Sequence, residues 1–452
     1  DGPGFIEEEV DCEINGAWQV KKQYTQVGSY LQVPDPENRL CIDGSFSMFA
    51  YIWPSLHPKV GAQAVCGRYD DFNSIGYAFG IDETGHLGFI VADGKEFDAV
   101  ISEIPLQRHI WYFIGASYDA STGRATLHQV GVVNRYNSLW GKVTPMDYDS
   151  HVSETLRFKP KHAPDISFLV GGTWDFHVNR GKFVNELYSG KVDRPGIVSR
   201  VLSREEFDHI CSGGKPPEND ILAYWDTSAG YTDTGIGDSV TDTGPYGLHA
   251  IGINKPVRAQ TGWNWNGRND CFRLAPEEYG GIEFHDDAII DCGWDVTHRL
   301  TIPENLKSGV YAIRLRAGDA TGLGEEYLVF FVRATTPRAP IALLIPTASY
   351  LAYANDHLTF DAQMAQPIVG QTPIVSDIDI EVYQSPEFGL STYDHHQDGA
   401  GVCYSSYRRP IVSLQPKYRN PMNGVTWQFP ADLSIVAWLE HCNYNDEVLT
   451  DD

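Results

Sequence analysis

The chain has 452 residues, of which 42% are hydrophobic and 21% are charged. This composition indicates a globular protein of roughly three domains and excludes an intrinsically disordered chain. No apolar run approaches the ~18 residues that a membrane-spanning helix needs. The net charge of −26 would repel a phosphate backbone, which argues against a nucleic acid partner.

The eight cysteines carry information through their spacing and number. No two of them form a C-x-x-C pair, so a zinc ribbon is not expected. They are too sparse in a chain of this length for a disulfide framework. We therefore expect reduced thiols and a cytoplasmic protein.

From about residue 15 to 210 the sequence predicts strands joined by tight turns. The run Gly44–Trp53 is rich in aromatic and β-branched residues and alternates in part, as in a half-buried strand. Ile81–Gly85 and Asp119–Gly123 separate apolar runs and predict hairpin turns. One helix is expected at Ser203–Glu206, where Ser and Glu have the spacing of a capping box.

The next segments resemble the opening of concanavalin-like or laminin-G-like jelly rolls. Leu222–Asp226 has the pattern of a W-D strand, and Asp242–His249 has that of the turn that follows it. The resemblance implies the fold and no activity. Trp263 and Trp265 are spaced to share one face of a strand, where core packing is favoured over a sugar-binding platform.

Residues 294–333 predict three strands, at Leu300–Ile302, Gly309–Leu315 and Tyr327–Val332. An Ig-like sandwich needs about seven. We interpret this segment as a partial Ig-like unit, with other strands expected before Asp1.

The last third of the chain changes class. Ile341–Ile345 is a continuous apolar run, as in a strand buried on both faces. Pro430–Cys442 predicts a helix whose wide apolar arc should be largely covered, and Asp446–Thr450 predicts another strand. A strand, a helix and a strand are the beginning of a parallel α/β sheet, whose sites lie beyond the carboxyl ends of its strands.

Several runs in this region resemble the N,N-dimethylformamidase large-subunit family. The specific ones are Ser349–Asn355, Phe388–Asp394, Ser406–Ile411 and Pro430–Leu433. Similar runs occur earlier, at Val133–Arg135, Tyr188–Asp193, Thr261–Trp265 and Ile302–Lys307. The resemblance spans nearly the whole chain in one order.

The resemblance implies a glutamine-amidotransferase-like α/β catalytic domain that hydrolyses N,N-dimethylformamide to formate and dimethylamine. It also implies a small accessory subunit, a higher oligomer, and a mononuclear Fe(III) held by two tyrosines and one glutamate. The tyrosines carry over to Tyr353 and Tyr393. The family's glutamate lies in a Ser-His-Pro-Glu-Tyr run that is absent here and is expected beyond Asp452.

The implied chemistry is coherent, since phenolate and carboxylate are hard oxygen donors suited to Fe(III). Bound iron would activate water and polarise the amide. An acid must also protonate the departing amine, and Asp394, His395 and His396 are equal candidates. The catalytic residues therefore stay unassigned at this point.

Each of these residues has a plainer interpretation. Most tyrosines pack or form hydrogen bonds, and the Asp394–Asp398 run suits a solvated turn better than a divalent metal site. Cys403 is a candidate amidase nucleophile, but it lacks a nucleophile elbow, which favours a buried or inert thiol. Arg408 and Arg409 suit either a carboxylate ligand or a structural ion pair.

The predicted architecture is a multidomain β plus α/β protein. Residues 1–14 are a remnant of an N-terminal β unit, 15–270 a concanavalin/laminin-G-like jelly-roll sandwich, 271–336 the Ig-like unit, and 337–452 an incomplete amidotransferase-like domain. The predicted function is an iron-dependent hydrolase of small N-substituted formamides, with no nucleic acid or membrane partner. The alternative is a carbohydrate-binding or scaffold sandwich with a non-catalytic α/β tail.

Overall fold

The computed structural model describes residues 23–451 except 58–59, 135, 137–147, 233–234, 297–298, 320–321, 337–338, 362–366 and 368. The chain divides into two compact units. The sandwich unit comprises residues 26–288 and 397–399, and the C-terminal unit comprises the rest, mainly 289–396 and 400–452. The domain boundaries predicted above stay predictions.

Nearly all the regular secondary structure in the described part of the sandwich unit consists of β-strands. They are β1 Tyr30–Val33, β2 Phe46–Pro54, β3 Gln63–Asp70, β4 Ile75–Ile81, β5 Leu87–Asp93, β6 Phe97–Ile101, β7 Tyr112–Asp119, β8 Arg124–Gly131, β9 Ser150–Thr155, β10 Phe168–Val170, β11 Thr173–His177, β12 Gly181–Asn185, β13 Gly190–Val198, β14 Ile221–Asp226, β15 Tyr231–Thr232, β16 Gly235–Ile236, β17 Ser239–Asp242, β18 Ala250–Ile253, β19 Val257–Gln260 and β20 Gly281–Phe284. The helices are α1 Arg204–Cys211 and two short 3₁₀ turns, Glu218–Asp220 and Pro276–Glu278.

The strands form two antiparallel layers. One layer runs in the order β17–β18–β1–β10–β3–β4–β5–β6. The other runs β9–β8–β7–β2–β13, with both β14 and β20 paired to β13. The two predicted hairpin turns are confirmed, since β4 pairs with β5 and β7 pairs with β8.

The core lies between the two layers, and strand alternation explains it. Phe46, Met48 and Ile52 of β2 all point into this core and are at most 1% exposed. Phe49 and Tyr51 point the other way and are also buried. The prediction of a half-buried strand is therefore wrong for β2, because a helix covers its second face.

That helix is α1, and its predicted capping box is confirmed. Ser203 Oγ accepts a hydrogen bond from the Glu206 backbone N–H, and the Glu206 side chain accepts one from the Ser203 N–H. Phe207 packs on β7 where Gly115 leaves room, since a Cβ at Gly115 would lie 2.6 Å from Phe207 Cε1. The cap fixes where the helix begins and so which side chain enters this space.

The packing of α1 predicts a stability difference between two phenylalanines. Phe207 is 2% exposed, so Phe207→Ala is expected to lower the free energy of unfolding by about 3 kcal/mol through lost burial and a cavity. Phe97 is 55% exposed, and Phe97→Ala should change it by less than about 1 kcal/mol. Urea denaturation of the two variants measures the difference, and equal losses would contradict the helix placement.

The C-terminal unit has a different composition of elements. Its described strands are β21 Gly309–Asp319, β22 Gly322–Val332, β23 Ile341–Ile345 and β24 Asp446–Thr450. Its described α-helices are α2 Thr347–Ala352, α3 Leu358–Asp361, α4 Asp377–Gln384 and α5 Phe429–His441, with 3₁₀ turns at Pro386–Phe388 and Val412–Leu414. None of the described helices is long and apolar enough to cross a bilayer.

Two pairings organise this unit. β21 and β22 form an antiparallel hairpin, whereas β23 and β24 are parallel, with Ile341 opposite Asp446. The predicted strand–helix–strand order is confirmed, because α5 lies between the parallel strands in sequence. The predicted strand at Leu300–Ile302 is wrong, since these residues have no strand geometry.

The burial predicted for β23 and α5 is also wrong. Leu344 of β23 is 57% exposed, and Ile435 and Trp438 of α5 are 47% and 54% exposed. Only one face of the β23–β24 pair contributes to the core, through Ile345 and Val448. An apolar run indicates that a segment forms a strand, but it does not determine how many strands or helices pack around that strand. Among the described residues, the sheet that contains β23 has two strands.

Candidate functional site

Tyr353 follows α2 directly and leaves the core as a result. Tyr350, one turn earlier, is 1% exposed and donates a hydrogen bond to Asp432 Oδ2 at 2.5 Å. Tyr353 is the C-terminal cap residue of α2. Because the helix ends at this position, the Tyr353 ring lies near the surface while Tyr350 anchors the helix in the core.

Tyr393 lies in a compact turn that begins at the Pro386–Phe388 3₁₀ helix. Gly389 ends that helix with φ 64°, a left-handed conformation that favours glycine. Ser391 is fully buried, and its hydroxyl accepts a hydrogen bond from the Tyr393 backbone N–H at 3.1 Å. The buried Ser391 hydroxyl therefore holds the backbone of the turn, while the Tyr393 side chain is 48% exposed.

Direct hydrogen bonds fasten the two tyrosine segments to each other. The Ala352 carbonyl oxygen accepts hydrogen bonds from Thr392 N and Thr392 Oγ1, both at 3.0 Å. The Asp394 carboxylate accepts from His357 N at 2.9 Å and from Ser391 N at 2.8 Å. The residues that flank each tyrosine thus fix the separation of the two segments.

Asn355 adds a third connection and was missed as a structural residue by sequence reasoning. It is 3% exposed, and its Nδ2 donates to Phe388 O at 2.9 Å and to Pro410 O at 2.7 Å. Its Oδ1 accepts from Val412 N at 2.9 Å, so one amide joins three segments. Its φ of 58° lies in the left-handed region, which asparagine tolerates better than most residues. The choice of asparagine at this position is the one signal that the sequence gives of this conformation.

The result is a close pair of phenol rings. Tyr353 and Tyr393 are stacked with ring centroids 4.0 Å apart and planes at 13°. Trp427 lies edge-on to Tyr353 with centroids 6.1 Å apart. The two tyrosines predicted from the sequence as metal ligands are therefore neighbours in space, although 39 residues separate them in the chain.

The electrostatics of the pair follow from this proximity. The hydrogen-bonding contact with the Tyr393 hydroxyl, followed by partial burial, raises the pKa of Tyr353. The charge of Asp356 raises it further. If both phenols ionised, their negative charges would repel each other and the charge of Asp356. A bound cation would offset this repulsion, and phenolate oxygens are suitable ligands for a hard cation.

The candidate acids of the Asp394–Asp398 run have different surroundings. Asp394 is buried, and its carboxylate accepts hydrogen bonds from the backbone N–H groups of His357 and Ser391. These contacts indicate a structural role. His395 is exposed and His396 is 7% exposed. The solvated-turn interpretation is therefore wrong for Asp394 and His396, and no cluster of three His, Cys, Asp or Glu residues suited to a metal occurs among the described residues.

Asp398 belongs to the sandwich unit and is buried there. Its Oδ2 lies 3.4 Å from His285 Nδ1, and the two side chains are 1% and 2% exposed. The Ser55 hydroxyl also donates to the same oxygen. Burial is the strongest single influence on His285 and lowers its pKa, but the hydrogen bond and charge of Asp398, with smaller effects of Glu283 and Asp287, raise the pKa overall.

This pair predicts a pH dependence of stability. Because the folded-state pKa of His285 is raised above the ~6.5 of an unfolded chain, the stabilisation is fully present below that pH and is lost as pH rises through the folded pKa. Urea denaturation of the wild-type protein and of Asp398→Asn between about pH 5.5 and 8.5 isolates this contribution, because other histidines have lowered pKa values and change stability in the opposite direction. The difference in unfolding free energy between the two proteins is expected to shrink as pH rises, and a difference that does not depend on pH would reject the pairing.

The remaining predicted residues resolve into separate roles. Cys403 is exposed, so it is not a buried thiol, and its expected inertness stays a prediction. None of the seven described cysteines forms a disulfide. Arg408 Nη1 forms an ion pair with Asp291 Oδ2 at 3.1 Å. Arg409 is 6% exposed and donates to Phe388 O at 2.8 Å, and burial lowers its pKa to about 10. The structural ion pair is therefore present for Arg408, whereas the hydrogen-bond partners of Arg409 in the described part of the chain are backbone oxygens and the Ser405 hydroxyl.

The tryptophans singled out in the sequence lie outside strands. Trp263 is stacked on Tyr51 at 4.3 Å with parallel planes, and it packs against the cluster under α1. Trp265 donates from Nε1 to Asn269 O at 2.9 Å. Packing was predicted correctly for Trp263, but the strand was not, because residues 261–268 form turns.

Comparison with known proteins identifies a family model and two relatives that this chain resembles. Residues 257–452 match the family model for the C-terminal part of N,N-dimethylformamidase beta subunit-like proteins. The chain is 38% identical over 458 residues to the N,N-dimethylformamidase beta subunit of Paracoccus aminophilus and 38% identical over 456 residues to that of an Alcaligenes species. The chain resembles N,N-dimethylformamidase beta subunits along its whole length.

The match covers 100% of this chain and 59% of each relative. The resemblance to N,N-dimethylformamidase inferred from the sequence is therefore confirmed. The relatives are named beta subunits, whereas the sequence analysis named the large subunit. Tyr353 and Tyr393 both lie within the segment that the family model matches.

Solved structures share only loose similarity with the chain. A putative carbohydrate-binding protein from Bacteroides ovatus is 14% identical, with a TM-score of 0.35, and the match covers 51% of this chain and 58% of that one. The CBM40 of Ruminococcus gnavus IT-sialidase, solved bound to α2,3-sialyllactose, is 13% identical, with a TM-score of 0.30, and the match covers 43% of this chain and 97% of that one. Neither match supports a ligand for this chain.

The hydrogen bonds of Asn355 predict a specific loss of stability. Asn355→Ala should lower the free energy of unfolding by about 3 kcal/mol, because buried partners lose their hydrogen bonds. Asn443 is exposed and has a similar φ of 52°, so Asn443→Ala controls for the cost of alanine in this conformation. Thermal or urea unfolding compares the two, and equal effects would show that the three hydrogen bonds contribute nothing.

Proposed function

We propose that this chain belongs to the N,N-dimethylformamidase beta-subunit family and that its protein hydrolyses small N-substituted formamides. The observation that carries the proposal is the stacked Tyr353–Tyr393 pair within the segment that resembles these enzymes. The overall reaction converts N,N-dimethylformamide and water into formate and dimethylammonium. The relatives are named as subunits, which supports a second subunit as partner.

Fe(III) is the metal proposed for this site, and the donor chemistry of the chain fits it. Two phenol oxygens converge near the surface, and Asp356 adds negative charge to their surroundings. When bound, the ion supplies Lewis-acid chemistry that polarises a carbonyl and acidifies water. Hydrogen bonds of Thr392, Asp394 and Asn355 fix the two segments that carry the proposed ligands, which supports a site of constant geometry.

The alternative of a carbohydrate-binding sandwich has less support. The aromatic platform that it would use includes Trp263, whose ring is stacked against Tyr51 inside the sandwich unit. A sugar-binding tryptophan needs a free ring face. The amidotransferase-like fold of the C-terminal unit, the general acid and a cytoplasmic location stay predictions.

Iron binding is expected to depend on both tyrosines. The natural full-length protein should contain iron and show a visible band from phenolate-to-iron charge transfer. Tyr353→Phe and Tyr393→Phe should each reduce bound iron by roughly tenfold or more and remove formate release from N,N-dimethylformamide, because each deletes an anionic ligand. Metal analysis, absorbance spectra and formate assays measure these effects.

The matched control is Tyr444→Phe, since Tyr444 is exposed to a similar degree, at 43%, and packs on Trp438. This variant should keep its iron, its colour and its activity. A colourless, iron-free wild-type protein that still releases formate would reject the metal site. Iron retained in both tyrosine variants would reject these two ligands.

A further inference from the structure

The hydrogen bonds around the phenol pair fix the backbone on either side of Tyr353, so the orientation of its ring depends on other contacts. In the described part of the chain, that ring contacts two aromatic rings. Tyr393 is stacked on it at 4.0 Å, and Trp427 lies at 88° to it with ring centroids 6.1 Å apart. Tyr393 is itself exposed, which leaves Trp427 as the neighbour able to fix the Tyr353 ring. Neither the sequence analysis nor the proposed chemistry uses Trp427.

Trp427 is joined to the core of the C-terminal unit two residues later. Phe429 begins α5, is 1% exposed, and lies edge-on to Tyr350 with ring centroids 5.9 Å apart. Asp432, in the first turn of α5, accepts the hydrogen bond from the Tyr350 hydroxyl. Tyr350 belongs to α2, the helix that Tyr353 caps. The indole and the phenol therefore extend from two helix ends that one buried tyrosine holds together.

The residue between Trp427 and α5 has an unusual backbone conformation. Gln428 has φ 54° and ψ −128°, a combination that a residue with a Cβ disfavours. Its carbonyl oxygen accepts hydrogen bonds from Ala431 N at 2.9 Å and from Asp432 N at 3.1 Å, which begin the helix. Such conformations persist where the surroundings determine them, and they are frequent beside functional sites. Here the strained residue connects the buried start of α5 to the indole beside Tyr353.

The exposure of Trp427 argues against a role in the core alone. Trp427 is 39% exposed, whereas Trp225 of the sandwich core is fully buried. An exposed indole buries less apolar surface and so contributes less to folding. An edge-to-face contact between aromatic rings restricts their mutual orientation and adds stabilisation beyond burial. Trp427 is therefore placed to act on the orientation of the Tyr353 ring more than on the core.

We propose that Trp427 is a positioning residue of the metal site, which holds the Tyr353 ring so that its hydroxyl stays beside that of Tyr393. The inference rests on the proposed function, because both tyrosines are proposed there as metal ligands. The indole itself supplies no ligand atom, since its nitrogen is a hydrogen-bond donor only. Removing a residue that orients a metal ligand typically changes metal affinity or activity by roughly 10- to 100-fold. Trp427 acts in this way through Tyr353.

The test measures iron in the natural full-length protein that carries Trp427→Ala. Its affinity for Fe(III), determined by competition with a chelator, is expected to fall by about tenfold, because Tyr353 loses its orienting contact. The phenolate-to-iron absorption band should shift or weaken. For N,N-dimethylformamide, kcat should fall more than KM changes, since the geometry of a ligand is altered rather than the binding of substrate. Trp427→Phe keeps an aromatic ring and should recover most of the iron affinity and the band.

Trp438→Ala is the matched control. Trp438 is 54% exposed, lies on α5 and packs on the exposed Tyr444 with ring centroids 5.3 Å apart. The control removes the same side chain from a similar contact and should leave iron, colour and turnover unchanged. Circular dichroism establishes that Trp427→Ala is folded; if it is not, Trp427→Leu, which keeps apolar bulk without a ring, gives the comparison. Unchanged iron affinity and absorption in the folded variant, or equal losses in Trp438→Ala, would overturn the proposal.

A double-mutant cycle in the iron-free protein makes the outcome separable from that of the proposed function. Tyr353→Ala and Trp427→Ala, alone and combined, should show coupling of about threefold or more in the unfolding equilibrium constant, as for an aromatic pair in contact. Iron in the wild-type protein without this coupling would leave the enzyme assignment in place and overturn the role of Trp427. Coupling in a wild-type protein that binds no iron would reject the metal site and, with it, the positioning role.

Discussion

The separation of Tyr353 and Tyr393 depends on hydrogen bonds to the backbone on either side of them. Ala352, Asn355 and Asp394 connect the segment after α2 to the turn after Gly389. All of these contacts involve main-chain groups, so they fix the path of the chain rather than a single rotamer. The stacked phenol rings are a consequence of that path, because each ring extends from a backbone position that is already held.

This arrangement places negative character in one small region. The two phenols, Asp356 and the neighbouring Asp394 are close enough to influence one another, and burial followed by the charges of Asp394 and Asp379 raises the pKa of Asp356 to about 6. Asp394 is stabilised by two backbone N–H donors, whereas the hydrogen bond that Asp356 accepts among the described residues, from Leu358 N, is long at 3.3 Å. The negative charge of Asp356 is therefore less well compensated than that of Asp394, and a cation such as the proposed Fe(III) would stabilise it more.

The elements with local signals were predictable from sequence. The capping box of α1, the hairpins around residues 82–86 and 120–123, and the helix at 429–441 all depend on residues within a few positions of one another. Burial was not predictable in the same way. Phe49 and Tyr51 are covered by a helix more than a hundred residues later, and Leu344 is exposed because of the neighbours its strand has, which no local pattern encodes.

The candidate site shows the same division between local and distant information. Sequence resemblance selected Tyr353 and Tyr393 but gave no structural role to Asn355, Thr392 or Asp394, the last being only a candidate acid, because asparagine, threonine and aspartate are common in turns. Asn355 ends the run Ser349–Asn355, and the one physical property of this residue type that bears on its role is the tolerance of asparagine for positive φ. Its three partners lie 33 to 57 residues away, so its role required coordinates.

The segment that carries Tyr353 depends on one side chain for its path. Asn355 lies two residues after Tyr353 and forms hydrogen bonds with backbone groups of Phe388, Pro410 and Val412. Asp356, the next residue, acts on the Tyr353 hydroxyl through its charge. A shift of this segment would therefore move a phenol and the neighbouring carboxylate together, since a closely packed interior transmits displacement. The position of the Tyr353 ring thus depends on Asn355, although the Asn355 side chain bonds only to backbone groups in the described part of the chain.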